Sequence, residues 1–444
     1  MTTLRTGRPE WRRLSPKYSD HGVERTVAPA QTIRRVMPLM DRIGVTRVGD
    51  VTGLDRVGLP NFTAVRPREV DDGISYYNGK GLTRDSARAG ALMEALERYS
   101  GERCDLPVYY GDRAELERTG PVVDPADIVL PLVTEYQPDL RIEWVEGFDL
   151  LGERPTYVPL NAVVCPYAPP EGRTLLYRSS TNGLASGNIL AEALCHAVCE
   201  VVERDALAIA SAYRELAPAI GRVLAGIGGP NPAAAPSPAR FPLIDLESLP
   251  ARARLAVAKL KRAGLLVYLR DITCIGVPTF ECTVVEHRWD DRHLVHGGSG
   301  AHPDARVAAC RALTEAAQSR VGHIQGGRED LPEIVRDQVA FDPDDVYGGG
   351  EIRPFSAVES NECDTVDGDV RFLLDRLRAE GFPQVVVVDL TRPEFGVPVV
   401  RAVVPCAESW SVYFSHIRRT AFGPRVTNIL RGVRGRVSEE PAGA

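Results

Sequence analysis

Residues 188–215 read NILAEALCHAVCEVVERDALAIASAYRE, and the fold turns on this stretch. Its apolar residues recur at helical spacing and cover nearly the whole circumference. That pattern predicts a helix buried inside the protein, with Asn188 placed to cap it. Glu192, Glu200 and Glu203 interrupt the apolar surface. At about 100° per residue, with Glu192 at 0°, Glu200 falls near ~80° and Glu203 near ~20°, so three carboxylates share one side. Buried carboxylates are costly without partners and repel one another. Arg98, Arg204 and Arg311 can neutralise some of them. Hard divalent ions suit the rest, since Mg²⁺ takes carboxylate, phosphate and water oxygens.

Working outward, SARAGALMEALERYSGER (86–103) predicts a second helix, opened by a capping Ser86 and carrying Glu94 and Glu97 on one face. Taken alone, that helix equally suits a solvated surface held by i,i+4 arginine pairs. DARVAACRALTEAAQSR (304–320) predicts a third, with Arg311 among small apolar residues and Glu315 one turn on as its orienting partner. The turn SSTNGLASGN offers backbone donors ahead of the buried helix, an arrangement that can hold phosphate, although it lacks GK[ST]. NGKGLTRDS (78–86) gives a Gly-Lys-Gly turn before the Glu94 helix. Strands are expected at 277–288, 384–390 and 398–405, all rich in β-branched residues. Without a regular βαβ cadence, the fold class is mixed α/β (α+β).

The 444 residues carry 53 Lys+Arg against 60 Asp+Glu, a net charge of −7, with 44% hydrophobic and 25% charged residues. This excludes a disordered chain, and no unbroken apolar run approaches the roughly 20 residues of a membrane span. No basic stripe offsets the acidic balance, so nucleic acid is not an expected partner. The N-terminus lacks an apolar signal core, which makes the cytoplasm the expected compartment. Nine cysteines form no CxxC pair. Cys195, His196 and Cys199 lack a second ligand pair and read as packing rather than zinc ligands. Residues 1–24 are expected to be a flexible segment and 431–444 a disordered tail. GIGGPNPAAAPSPARFP (226–242) reads as an exposed linker or insertion within a domain spanning 25–430.

GKGLTRDSARAGALMEALERY, STNGLASGNILAEALCHAVCEVVERDA, GSGAHPDARVAACRALTEAAQSR and VPVVRAVVP together resemble the YcaO family, which activates peptide backbone amides with ATP. The spacing Glu192-x7-Glu200-x2-Glu203-Arg204 after a Gly-Asn turn is the most specific piece. The opening, PLMDRIGVTRVGDVTGLDRVGLPNFTAVRP, is most similar to stand-alone members paired with a TfuA protein or found in bottromycin-type pathways. The resemblance implies the YcaO fold, helices packed on mixed sheets around a carboxylate-lined site for ATP and Mg²⁺. Glu94, Glu97, Glu192, Glu200 and Glu203 would hold the metal. Asn188, Arg204 and Arg311 would contact nucleotide, joined by Arg25 and Thr32 in ERTVAPAQTIRR and by Lys80, Asn182 and Ser186. Glu203, Arg204 and Arg311 would be catalytic. Three departures stand out: Gly90 where the family has Ser, Cys406 where Gly is usual, and no Pro-rich C-terminal tail.

The implied reaction is ATP-dependent O-phosphorylation of a peptide amide followed by loss of phosphate, giving a thioamide, a macrocyclic amidine or an azoline. Implied partners are a precursor peptide, a TfuA-like or other protein, and a second copy in a homodimer. One rival is a non-catalytic family member that recruits peptide to another enzyme. Another is a metal-dependent hydrolase, disfavoured because no His ligands accompany the carboxylates.

Overall fold

The computed structural model describes residues 10–438 except 21–22, 68–72, 132–133, 178, 227–240, 288–292, 330–341 and 410–421. A hairpin of β1 (Tyr18–Asp20) and β2 (Val23–Arg25) leads into α1 (Pro29–Val36). Next come β3 (Arg47–Asp50), β4 (Asn61–Val65) and β5 (Tyr76–Lys80), an antiparallel sheet covered by α2 (Arg84–Gly101). A second sheet takes β6 (Val108–Gly111), β7 (Ile142–Asp149), β8 (Arg154–Pro159), β9 (Leu184–Ser186), β15 (Val386–Asp389) and β16 (Val399–Val403). Its order is β6-β7-β15-β16-β9, with β8 also paired to β7. The short helices α3 (Arg113–Glu117) and α4 (Leu160–Val163) lie among its connections. A third sheet, β13-β12-β11-β10-β14, uses β10 (Leu243–Ile244), β11 (Leu265–Asp271), β12 (Thr279–His287), β13 (His293–Ala301) and β14 (Ile352–Arg353). The remaining helices are α5 (Leu190–Ser211), α6 (Ala217–Gly226), α7 (Ala251–Arg262), α8 (Ala305–Gln325), α9 (Val366–Ala379) and α10 (Pro424–Ser438).

Val386, Val387 and Val388 of β15 are apolar in unbroken succession because both faces of the sheet are covered there. Val386 and Val388 share a core with Ala91, Leu92, Ala95 and Leu96 of α2, while Val387 joins Leu194, Val198 and Val202 of α5. Each fully buried valine contributes about 1.5–3 kcal/mol. The sheet therefore fixes the two glutamate-bearing helices relative to each other. On the third sheet α8 rides directly on β13. A Cβ on Gly298 or Gly300 would collide with backbone atoms of Ala312 or Ala308, so only glycine permits this approach.

Several expectations are corrected. Thr83, not Ser86, caps α2; its extended backbone lets the hydroxyl accept from Ser86 N–H at 3.2 Å. Asn188 does not cap α5: the N-cap is Ile189, and the Asn188 amide is used at the site instead. Gly79 and Lys80 end strand β5 rather than forming a free turn. Residues 10–20 are not loose, since Trp11 is buried against α5 and Lys17 against α9. Of the expected linker, Gly226 ends α6 and Phe241 is buried, while 227–240 lie outside the described residues. Helix α10 runs to Ser438, past the expected domain end at 430; 439–444 lie outside the described residues.

Candidate nucleotide and metal site

Glu94 and Glu97 project from α2 toward β5 and β9. Glu94 accepts the Asn78 N–H at 3.0 Å and lies 3.5 Å from Arg98. Glu97 accepts both the N–H and the hydroxyl of Ser186, at 2.9 and 3.1 Å. Burial pushes the Glu97 carboxyl up to about 8, with Glu94 and Glu200 adding to the rise against Arg98.

From α5, Glu200 accepts the Gly183 N–H at 3.3 Å, and burial next to Glu203 raises its pKa against the pull of Arg204. Glu203 accepts the Ser299 hydroxyl at 2.6 Å and the Ala301 N–H at 3.2 Å. Arg204 reaches Glu203 at 3.6 Å and Glu200 at 3.9 Å. Burial works against its charge, but Glu203, Glu315 and Glu200 together keep its pKa above the ordinary value. Arg311 donates to the Ala301 carbonyl at 3.1 Å. Its expected partner Glu315 is elsewhere: Glu315 pairs with Lys80 and is held ionised, against burial, by Lys80 and Arg204. The close ride of α8 on β13 puts Glu315 within reach of β5.

Glu192 forms a separate wall. One oxygen accepts the Thr26 N–H at 2.6 Å and its hydroxyl at 2.5 Å; the other accepts the Asn188 N–H and Nδ2 at 2.8 and 2.9 Å. Arg25 lies 3.9 Å away. These contacts outweigh burial and hold Glu192 below the usual carboxylate range. Thr32 donates its hydroxyl to Asn188 Oδ1 at 3.0 Å.

The expected residues thus fall into one constellation with two sides, Glu94–Glu97–Glu200–Glu203 and Arg25–Thr32–Asn188–Glu192. Sequence reasoning missed Thr26 and the pairing of Glu315 with Lys80, and it read His196 as packing although the ring lies on the carboxylate side of the helix. His196 sits near ~40° on the helical wheel that places Glu192, Glu203 and Glu200 at ~0–80°, so the same arithmetic would have found it. Cys195 lies with His302 and Asp369 in a buried group of ligand-type atoms. That trio suits no metal: His302 Nδ1 accepts the Asp304 N–H at 3.0 Å, so a neutral ring carries its hydrogen on Nε2, the atom facing Asp369. Lys17 already supplies the cation there, 2.8 Å from Asp369.

The glutamate constellation does fit Mg²⁺. Its donors are oxygens, and the buried Oδ1 atoms of Asn78 and Asn182 have no hydrogen-bond partner among the described residues. The raised Glu97 and Glu200 show carboxylates short of positive charge. Lys80, Arg204 and Arg311 offer donors for phosphate oxygens at the rim.

Carboxylate-bearing helices braced by a shared sheet, with cationic side chains at the edge, define a metal- and nucleotide-using class of α/β protein. Residues 78–408 match the YcaO cyclodehydratase family, described as ATP- and Mg²⁺-binding, and the chain belongs to that family. It is 37% identical over 401 residues to an uncharacterized protein of Methanothermobacter thermautotrophicus, covering 87% of this chain and 95% of that one. It is 33% identical to a protein from the tfuA 3′ region of Rhizobium leguminosarum bv. trifolii, covering 97% and 98% of the two chains. YcaO from Methanopyrus kandleri, solved with AMPPCP and Mg²⁺, superposes with a TM-score of 0.70 at 26% identity, covering 90% of this chain and 97% of that one. A heterocyclase solved with substrate and cofactor shares the fold, with a TM-score of 0.74 at 21% identity over 91% of this chain and 55% of that one. No helix among the described residues is long and apolar enough to cross a membrane.

Proposed function

We propose that this chain uses ATP to phosphorylate a backbone amide oxygen of a ribosomally made peptide, with a nucleophile then replacing that oxygen. The observation that carries the reading is the run Glu94–Glu97–Glu200–Glu203 beside Arg204, with Glu97 and Glu203 buried, Glu94 and Glu200 half-buried, and two of its carboxyls pushed up by desolvation. A pure binding module gains nothing from concentrating that much buried negative charge.

An amide oxygen is a poor leaving group until it carries a phosphoryl group. The nucleophile adds to the carbonyl carbon, the oxygen takes the γ-phosphoryl group with release of ADP, and phosphate departs with that oxygen. A Cys, Ser or Thr side chain yields an azoline, sulfide a thioamide, and an amino terminus an amidine. Here Arg204 and Arg311 orient phosphate oxygens, Lys80 and Glu315 hold β5 to α8, and Ser186 and Ser299 fix Glu97 and Glu203. The glutamates, with Asn78 and Asn182 beside them, would hold Mg²⁺, which would supply charge neutralisation for the polyphosphate.

The relative from the tfuA 3′ region supports a TfuA-like partner and, with the chain's opening, favours thioamide or amidine over azoline formation. A precursor peptide is the substrate in this reading, in the cytoplasm, with a homodimer as the assembly. Gly90 and Cys406, as departures from the family pattern, are the residues that favour the recruiting-partner rival. Gly90 has a packing role, since a Cβ there would lie 3.2 Å from Gly79 Cα where α2 crosses β5. The test screens peptides from the short reading frames flanking the gene, labelled with heavy oxygen at the backbone carbonyls. One labelled oxygen in the released phosphate is expected. Modified peptide accompanied by unlabelled phosphate would overturn the route.

A further inference from the structure

His196 stands on α5 one turn after Glu192 and one turn before Glu200, on the same face as both. It is half-buried, whereas Cys195 and Ala197 on either side are fully buried. Among the described residues no side chain or backbone group makes a hydrogen bond or ion pair with it. Nor do its ring nitrogens belong to the buried polar atoms that lack partners, so they retain access to the cleft. The charged groups acting on the ring come from three other elements: Arg25 on β2, Lys80 on β5 and Arg311 on α8. An imidazole with open nitrogens and no structural bond, in the middle of the constellation, is not accounted for by packing.

We propose that His196 is a catalytic residue, the general base that takes the proton of the attacking nucleophile. The proposal rests on the amide-activating reading above and adds the group that reading lacked, since the glutamates are committed to cations and the arginines and Lys80 cannot accept protons. As the nucleophile's X–H bond breaks, its proton passes to the free ring nitrogen and its electron pair forms the bond to the amide carbon. The carbonyl π electrons move to oxygen, which takes the γ-phosphoryl group as ADP leaves. Phosphate then departs with that oxygen and takes up the proton that the amide nitrogen loses as C=N forms, in the azoline and amidine cases. His196 finally yields its proton to water, and in these two cases the sum is peptide plus ATP giving product, ADP, hydrogenphosphate and one proton. Burial first, then Arg25, Arg311 and Lys80, disfavour the imidazolium and keep the ring in the accepting form at neutral pH.

The first arm needs no peptide. Diethyl pyrocarbonate, which acylates open neutral imidazoles, should label His196 of the full chain at neutral pH; an unlabelled His196 would overturn the proposal. In the second arm, His196→Ala should bind Mg²⁺–AMPPCP with the parent's affinity. Its modification of the precursor peptide should fall roughly 100-fold or more, the scale of a lost general base. Added imidazole should restore part of that rate, which a merely structural role would not allow. His196→Gln, closer in size, repeats the binding and rate measurements should the alanine variant not fold. Parental modification by the variant, loss of Mg²⁺–AMPPCP affinity along with rate, or no response to imidazole would each overturn the assignment. A parent that binds Mg²⁺–AMPPCP but modifies no peptide would instead sink the amide-activating reading, with the labelling result standing apart from it.

Discussion

Lys80 at the end of β5 closes an ion pair with Glu315 on α8, leaving Arg311, among the described residues, to a single backbone carbonyl, that of Ala301. Arg311 is therefore weakly tied to the fold and available to a ligand. Arg311→Lys should change thermal stability by no more than about 1 kcal/mol, the scale of one hydrogen bond. It should weaken ATP binding about tenfold or more, because an ammonium cannot reproduce the planar fork on phosphate. Calorimetric affinity equal to the parent's would remove Arg311 from the nucleotide site.

Lys17 is a different case, a cation used for structure. Its side chain and that of Asp369 are 5% and 0% exposed, and the pair pins the N-terminal segment that carries Arg25 and Thr26. Burial leaves the Asp369 carboxyl raised to about 6 even beside Lys17. Lys17→Met strands that charge and should cost about 3–5 kcal/mol, measured by denaturant unfolding at pH 7. Adding Asp369→Asn should recover a large part; no recovery would show that the loss is not electrostatic.

His296 on β13 is buried 5.0 Å from the His323 ring, and burial first, then His323 and Arg320, lower its pKa to about 4. Between about pH 6.5 and 4 the unfolded chain binds a proton there that the folded chain refuses. Stability should therefore fall as pH drops through this window, by up to ~1.4 kcal/mol per pH unit from this group. His296→Gln should reduce that slope, and an unchanged slope would place the proton elsewhere.

Cys406 has φ of +69°, the left-handed region, where the family resemblance leads one to expect glycine. An L side chain there costs about 1–2 kcal/mol. Cys406→Gly should accordingly be more stable than Cys406→Ala by roughly 1 kcal/mol in thermal unfolding. The reverse order would mean that the surroundings compensate the strain.

What could be read from the sequence was what local periodicity encodes. The buried α5, its stripe of glutamates, α8 and the valine-rich β15 and β16 all follow from spacing within one element. The helix starts fall at Thr83 and Ile189 rather than at Ser86 and Asn188, which also suit a helix start: Ser86 N–H is itself what the Thr83 hydroxyl caps, and Asn188 is engaged by Thr32 and Glu192. The polar composition of 10–20 hid Trp11 and Lys17, whose partners on α5 and α9 lie far along the chain. Lys80–Glu315 and Thr26–Glu192 are likewise long-range pairs that no local spacing announces.

In the proposed function the glutamates hold nucleotide through Mg²⁺, and titration calorimetry with AMPPCP tests that dependence. The parent should bind AMPPCP in the presence of Mg²⁺ and lose that binding in EDTA. Glu203→Gln, which can keep the contact with Ser299 at 2.6 Å in the parent, should stay folded and bind weakly in both buffers. Equal affinity with and without Mg²⁺, or a Glu203→Gln variant indistinguishable from the parent, would contradict the claim.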